Sequence, residues 1–126
     1  MNEDVIRSVA DRLFAAIEDG DHEAVAGMWA SDVAVWHTGD EADNDRDQAL
    51  KVIRWFIRST ATRRYEIIDR RIFDGGFVQQ HVLHAAGIGG AVVTLRVCIV
   101  VEVDATGSIV RIDEYFDPAD LAPLLT

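Results

Sequence analysis

Val92-Val-Thr-Leu-Arg-Val-Cys-Ile-Val-Val-Glu-Val-Asp-Ala-Thr-Gly-Ser-Ile-Val-Arg-Ile-Asp-Glu-Tyr-Phe-Asp117 is the stretch that decides the fold. In an extended chain alternate side chains share a face. Val93, Leu95, Val97, Ile99, Val101 and Val103 therefore form an unbroken apolar row, with Thr94, Arg96, Cys98, Val100 and Glu102 as a mixed row opposite. Asp104-Ala-Thr-Gly107 has the composition of a turn, and period two resumes after it. Val110, Ile112, Glu114 and Phe116 then share one face; Ile109, Arg111, Asp113 and Tyr115 share the other. The first face is the apolar one and carries a single carboxylate, Glu114. A carboxylate so placed needs a partner, a retained proton or a wet pocket.

Upstream the same period continues. Gly87-Ile-Gly-Gly90 turns back into a strand over Phe77 to Ala86, and Asp74-Gly-Gly76 into one over Arg64 to Phe73. Before Arg64 the spacing is helical. Val5, Ile6, Val9, Leu13, Ala16 and Ile17 line one stripe that Gly20 stops, and Asp21 caps a short helix burying Ala24, Val25, Met28 and Trp29. A short strand, Val33 to His37, leads into an acidic loop from Thr38 to Asn44. Asp45 and Gln48 have capping-box spacing and open a helix to about Ser59, with Ala49, Val52, Ile53, Phe56 and Ile57 inward. Helices first and antiparallel strands after predict an α+β fold, one curved sheet wrapped over N-terminal helices in a single domain over 1–126.

The 126 residues carry 22 acidic against 12 basic side chains, a net charge of −10. Nucleic acid and anionic membrane surfaces would repel such a chain. The Met1-Asn-Glu-Asp4 start lacks the basic and apolar segments of a signal peptide, and no apolar run reaches the length of a membrane span. Cys98 is the only cysteine, so no internal disulfide can form and a cytoplasmic location is expected. Lys51 is the only lysine, a bias of GC-rich bacterial genomes.

His37 shares the apolar face of its strand with Val33 and Val35, and so is a second titratable group aimed inward. An imidazole and a buried carboxyl group can divide acid and base work between them; the bland alternatives are a satisfied core histidine and a structural ion pair of Glu114 with Arg71 or another strand arginine. On the strand from Phe77, Gln80, Val82 and His84 form one face and Gln79, His81 and Leu83 the other, neither plainly apolar. His81 and His84 point to opposite sides and cannot chelate one metal. The acidic run Asp40 to Asp47 lacks the glycine and glutamate of a calcium loop, and reads as a solvated loop with a helix cap. No phosphate loop, nucleophile elbow or cofactor lysine signature is present, and Cys98 lies on the mixed face.

Together with this order of elements, Phe14-Ala-Ala-Ile-Glu-Asp-Gly-Asp21, Met28-Trp-Ala-Ser-Asp-Val-Ala-Val35 and Gly107 to Asp117 resemble the nuclear transport factor 2-like superfamily, in its SnoaL-like and ketosteroid isomerase-like branches. The resemblance implies a cone-shaped α+β barrel with a deep pocket, usually dimeric. The steroid isomerases of the superfamily carry catalytic groups at the positions of His37 (an aspartate base), Leu13 (a tyrosine) and Ile99 (a protonated aspartate); all three differ here, so that mechanism does not carry over. The limonene-type epoxide hydrolases place a catalytic aspartate at the position of Glu114, but their arginine and second aspartate fall in the strand where this chain has Gln80, His81 and Leu83. The resemblance to SnoaL-type polyketide cyclases implies acid–base chemistry around a histidine and an aspartate.

The expected function is cofactor-independent acid–base chemistry, of isomerase, cyclase or hydrolase type, on a small apolar cyclic metabolite. Glu114 and His37 are the catalytic candidates. Gln80 or His81, with His84, would orient a substrate oxygen, and Val35, Phe56, Val82, Ile99, Ile112 and Phe116 would line the cavity. No metal is expected, and a homodimer is expected through the outer sheet face. The alternative is a non-catalytic ligand-binding or dimerisation module of the same fold.

Overall fold

The computed structural model describes residues 2–125; Met1 of the acidic start and Thr126 lie outside them. Three helices come first among the main elements: α1 (Glu3–Glu18), α2 (His22–Met28) and, after strand β1 (Trp29–His37), α3 (Arg46–Ser59). Strands β2 (Thr60–Phe73), β3 (Gly76–Gly87), β4 (Val92–Val103) and β5 (Ile109–Tyr115) follow as an antiparallel meander, and a 3₁₀ helix (Pro118–Leu125) ends the chain. The sheet order is β1-β5-β4-β3-β2. β1 and β5 run parallel, so the first strand lies beside the last. The curved sheet stays open, with β1 and β2 as its edges.

Each helix forms for a local reason. Asn2 and Asp21 cap α1 and α2 by accepting from the Asp4 and Ala24 amides. Asp45 and Gln48 complete the capping box of α3 reciprocally, at 2.9 and 3.0 Å. The stripe Ile6, Val9, Ala10, Leu13, Phe14, Ala16 and Ile17 turns α1 onto β2 and β3. Val5 instead faces solvent, because it lies off that stripe at the first turn. Trp29 opens β1 opposite Ile109 rather than closing α2. β1 thus begins four residues before Val33; the pairing shift between Trp29 and Ala34 hides its period in the sequence. β2 likewise begins at Thr60, directly at the C-cap of α3, where the Thr60 hydroxyl donates to the Phe56 carbonyl at 2.8 Å.

The apolar row of β4 is buried throughout, as its alternation predicts. It also decides the face of β3. Directly opposed residues of antiparallel strands share a face, and Gln79, His81, Leu83 and Ala85 oppose Ile99, Val97, Leu95 and Val93. Gln79, His81, Leu83 and Ala85 are therefore the inward residues of β3. On β5 a pairing shift places Ile109 opposite Val103 but Arg111 opposite Glu102. This irregularity corrects the simple alternation: Ile109 is buried with Ile112, while Val110 is half-buried. Gly76 is required where β3 starts, since a Cβ there would meet the Val101 carbonyl and the Phe73 ring.

Among the described residues no helix is long and apolar enough to cross a membrane.

Candidate functional site

His37 and Glu114 are register partners on the parallel strands β1 and β5. Side chains of such partners project to the same face, and here that face is concave. Thr38 secures the junction: its amide donates to the Glu114 carbonyl at 3.0 Å, and its hydroxyl accepts from the Phe116 amide at 3.1 Å. The result sets His37 Nε2 3.9 Å from Glu114 Oε1. That gap is too long for a direct hydrogen bond and suits an intervening atom.

The other ring nitrogen is held. His37 Nδ1–H donates to Asp40 Oδ2 at 3.1 Å, and the His37 amide donates to the same oxygen at 2.9 Å. Asn44 adds a third donor at 2.8 Å, and Trp36 Nε1 donates to the Asp40 carbonyl at 2.9 Å. Gly39, with φ of +98°, makes the turn that returns Asp40 onto the imidazole. Burial alone would push the Asp40 carboxyl up, but the bonds from the His37 amide, the His37 ring and Asn44 outweigh it and hold the group below its usual range. A carboxylate fixed on Nδ1–H orients the ring so that Nε2 faces Glu114.

Glu114 pairs with no arginine or lysine among the described residues. Arg71, the suggested partner, is exposed and bridges to Asp69 at 3.1 Å, because it lies on the outward side of β2. Burial raises the Glu114 carboxyl above its usual range, and the nearby His37 offsets this only in part. The site thus sets an oriented imidazole nitrogen beside a carboxyl group with a strengthened grip on its proton.

Both open into a cavity of 350 Å³ lined further by Thr38, Ile53, Trp55, Phe56, Tyr65, His81, Leu83, Leu95, Val97 and Phe116. The 3₁₀ helix covers part of the mouth with Pro118, Leu121 and Leu125. A recess of 40 Å³ adjoins it, sharing His37, Tyr65 and Glu114 and adding Val35, Ile99 and Ile112. The structure therefore gathers His37, Glu114, His81, Val35, Phe56, Ile99, Ile112 and Phe116 around one hollow.

Gln80, Val82 and His84 do not join them, and for these three the expected placement is corrected. They occupy the outward face of β3, since the apolar row of β4 claims the inward face for their neighbours. Gln80 accepts from Arg96 at 3.4 Å, and His84 Nε2 bonds Glu66 at 2.8 Å on the surface.

His81 is 1% exposed, and its state is set by a relay. Arg70 Nε donates to Gln79 Oε1 at 2.7 Å, which fixes the amide so that Gln79 Nε2 donates to His81 Nδ1 at 2.8 Å. The proton of His81 must then sit on Nε2, which has no partner among the described residues. Burial, aided by the Arg70 charge, pushes the imidazole down to about 4, so it stays neutral at physiological pH.

Sequence reading passed over two members of this site. Asp40 was absorbed into a solvated acidic loop; the available signal was a glycine followed by aspartate, three residues after an inward histidine at a strand end. The loop is in fact tied down, by paired backbone bonds between Val35 and Asn44 and by Arg111 gripping Asp43 at 2.9 and 3.1 Å. Tyr65 lay on a strand too polar to show its face, although it is the aromatic residue among Thr60–Arg64 and Glu66.

Residues 10–112 match the family model of the SnoaL-like domain. Among solved structures the chain is similar to PrhC from Penicillium brasilianum, with 14% identity, 98% of this chain and 87% of that one covered, and a TM-score of 0.84. It is also similar to an LEH-like epoxide hydrolase of M. tuberculosis, at 20% identity, coverage of 96% and 89%, and a TM-score of 0.76. A third is an NTF2-like protein of unknown function from Burkholderia pseudomallei, at 19% identity, coverage of 100% and 99%, and a TM-score of 0.80. At these identities the structures speak to the fold. No curated protein matches the chain at a significant level. With its family match over most of its length and a sheet of the same architecture, the chain belongs to the SnoaL-like domain family of the nuclear transport factor 2-like superfamily.

Proposed function

We propose that this single domain over 1–126 binds a small apolar cyclic metabolite in its cavity and performs cofactor-independent acid–base chemistry on it, of isomerase, cyclase or hydrolase type, in the cytoplasm. One observation carries the reading: His37 Nε2, oriented by Asp40, faces the raised carboxyl of Glu114 across 3.9 Å inside a largely apolar hollow. A proton removed from a ligand atom lying in that gap would pass to His37 Nε2, and Glu114 would return one to a neighbouring atom. Asp40 would hold the resulting imidazolium without taking its proton. The epoxide hydrolase named in the fold comparison supports the hydrolase variant by fold alone.

The test is a panel of cyclic ketones, enones and epoxides. With any compound that the protein turns over, Glu114→Gln and His37→Ala should each lower kcat by about 10²–10⁴-fold. Losses below tenfold in both would overturn the assigned roles.

A non-catalytic ligand-binding module is the second reading, favoured by the mostly aliphatic and aromatic lining, which needs no proton transfer to hold an apolar guest. Ligand recovered unchanged after long incubation with the protein would select it. In either case we place a homodimer contact on the outer sheet face, where Val92 is exposed. A monomer by light scattering at micromolar concentration would remove that contact.

A further inference from the structure

The polar groups of the cavity are unevenly matched. Asp40 has three donors and His37 has Asp40. The Tyr65 hydroxyl has no hydrogen-bond partner among the described residues, although Tyr65 lines both the main cavity and the recess with Glu114. The residue is nevertheless rigidly mounted. Its amide donates to the Glu18 carboxylate at 2.8 Å, and its ring packs at 4.9 Å against both Phe14 and His81. A phenol held at a cavity wall with no protein acceptor among the described residues is free to donate to a ligand there.

Charge narrows the ligand further. Among the described residues the cavity and its recess are lined by no lysine or arginine, while Asp40 and Glu114 both line the cavity. The chain as a whole carries −10. An anionic ligand would meet two carboxyl groups, no countercharge and an unfavourable long-range field. His81, the second imidazole on the wall, supplies no positive charge either, because burial, aided by the Arg70 charge, keeps it neutral.

We propose that Tyr65 is the specificity-determining donor of the cavity, and that the substrate is an uncharged compound whose ring system carries an acceptor oxygen, such as a ketone, ether or epoxide, bound by the Tyr65 hydroxyl beside Glu114. This deepens the functional reading above and rests on its assignment of the cavity as a ligand site. Burial first, and then the charges of Glu114 and Glu18, push the phenol well above its usual ionisation range, so it remains a donor. The arrangement divides labour: Tyr65 fixes the oxygen, and His37 and Glu114 meet the adjoining atoms.

Three probes of similar size separate the possibilities: 2-acetylnaphthalene, its hydrocarbon analogue 2-isopropenylnaphthalene, and 2-naphthoate. Their affinities for the full chain and for Tyr65→Phe follow from amide chemical-shift titrations, whose starting spectra also show whether the variant folds. The ketone should lose about fivefold in affinity in Tyr65→Phe, the yield of one neutral hydrogen bond, while the hydrocarbon changes by less than about twofold. The naphthoate should bind the unmodified chain at least about tenfold more weakly than the ketone. Equal response of ketone and hydrocarbon to Tyr65→Phe, or naphthoate binding as tight as the ketone, overturns the proposal. Should Glu114→Gln and His37→Ala leave turnover intact while the ketone still depends on Tyr65, the acid–base reading fails and this one stands. If no probe shifts cavity resonances at millimolar concentration, both fail.

Discussion

The buried neutral state of His81 has a thermodynamic consequence that can be measured without a substrate. An imidazole whose usual value of 6.5 falls to about 4 on folding binds its proton more readily in the unfolded chain. Its contribution is therefore fully present above the unfolded value and is lost as pH falls through the interval down to the folded one. The difference corresponds at most to about 3 kcal/mol, at about 1.4 kcal/mol per unit. Between about pH 7 and about pH 5 the loss is about 2 kcal/mol, since the unfolded ring is then mostly charged and the folded ring still mostly neutral. Urea unfolding of the wild type and of His81→Phe at the two pH values isolates the effect. The variant lowers stability at both, because it strands the Gln79 amide donor. Only the change with pH is diagnostic, and the wild type should lose about 2 kcal/mol more than the variant. Equal losses, within about 0.5 kcal/mol, would refute burial, aided by the Arg70 charge, as the keeper of a neutral His81.

Asp40→Asn should reduce kcat by tenfold or more on any compound turned over, and the ¹⁵N shifts of His37 should change from one tautomer to a mixture; a single unchanged tautomer would deny Asp40 its orienting role. Glu114→Gln should raise the thermal midpoint at neutral pH, because a carboxyl group raised by burial favours folding below about 4.5 and loses that contribution as pH rises; the gain should fade in acid, and a lower midpoint at neutral pH would contradict it. Phe77→Ala removes one of the largest fully buried side chains and should cost about 3–5 kcal/mol in urea unfolding, with a loss under about 1 kcal/mol contradicting its core position.

The fold was legible where one face of an element is buried and the other wet. The β4 row, the α1 stripe and the Asp45–Gln48 box all carry their structure in local spacing, and each is found where that spacing puts it, save Val5 at the start of α1. Legibility failed where both faces are covered or pairing is irregular. β3 has polar residues on both sides because Gln79 and His81 are buried bonded to each other, so no alternation marks its inner face. β1 and β5 each contain a pairing shift, which hid the start of one and exchanged Val110 for Ile109 on the other.

The sequence by itself determined the class of fold, the inward aim of Glu114 and His37, and an acidic chain unsuited to anionic partners. These follow from side-chain period and net charge, which are properties of the chain before it folds. Only the tertiary structure decided that the two groups meet. Their strands are separated by most of the chain and become neighbours through the parallel pairing of β1 with β5, a contact that no local spacing encodes. The same pairing, with the turn at Gly39, converts Asp40 from one acid among many into the group that orients His37. It also places Tyr65, from a strand on the far side of the sheet order, in one cavity with Glu114, because the sheet curves.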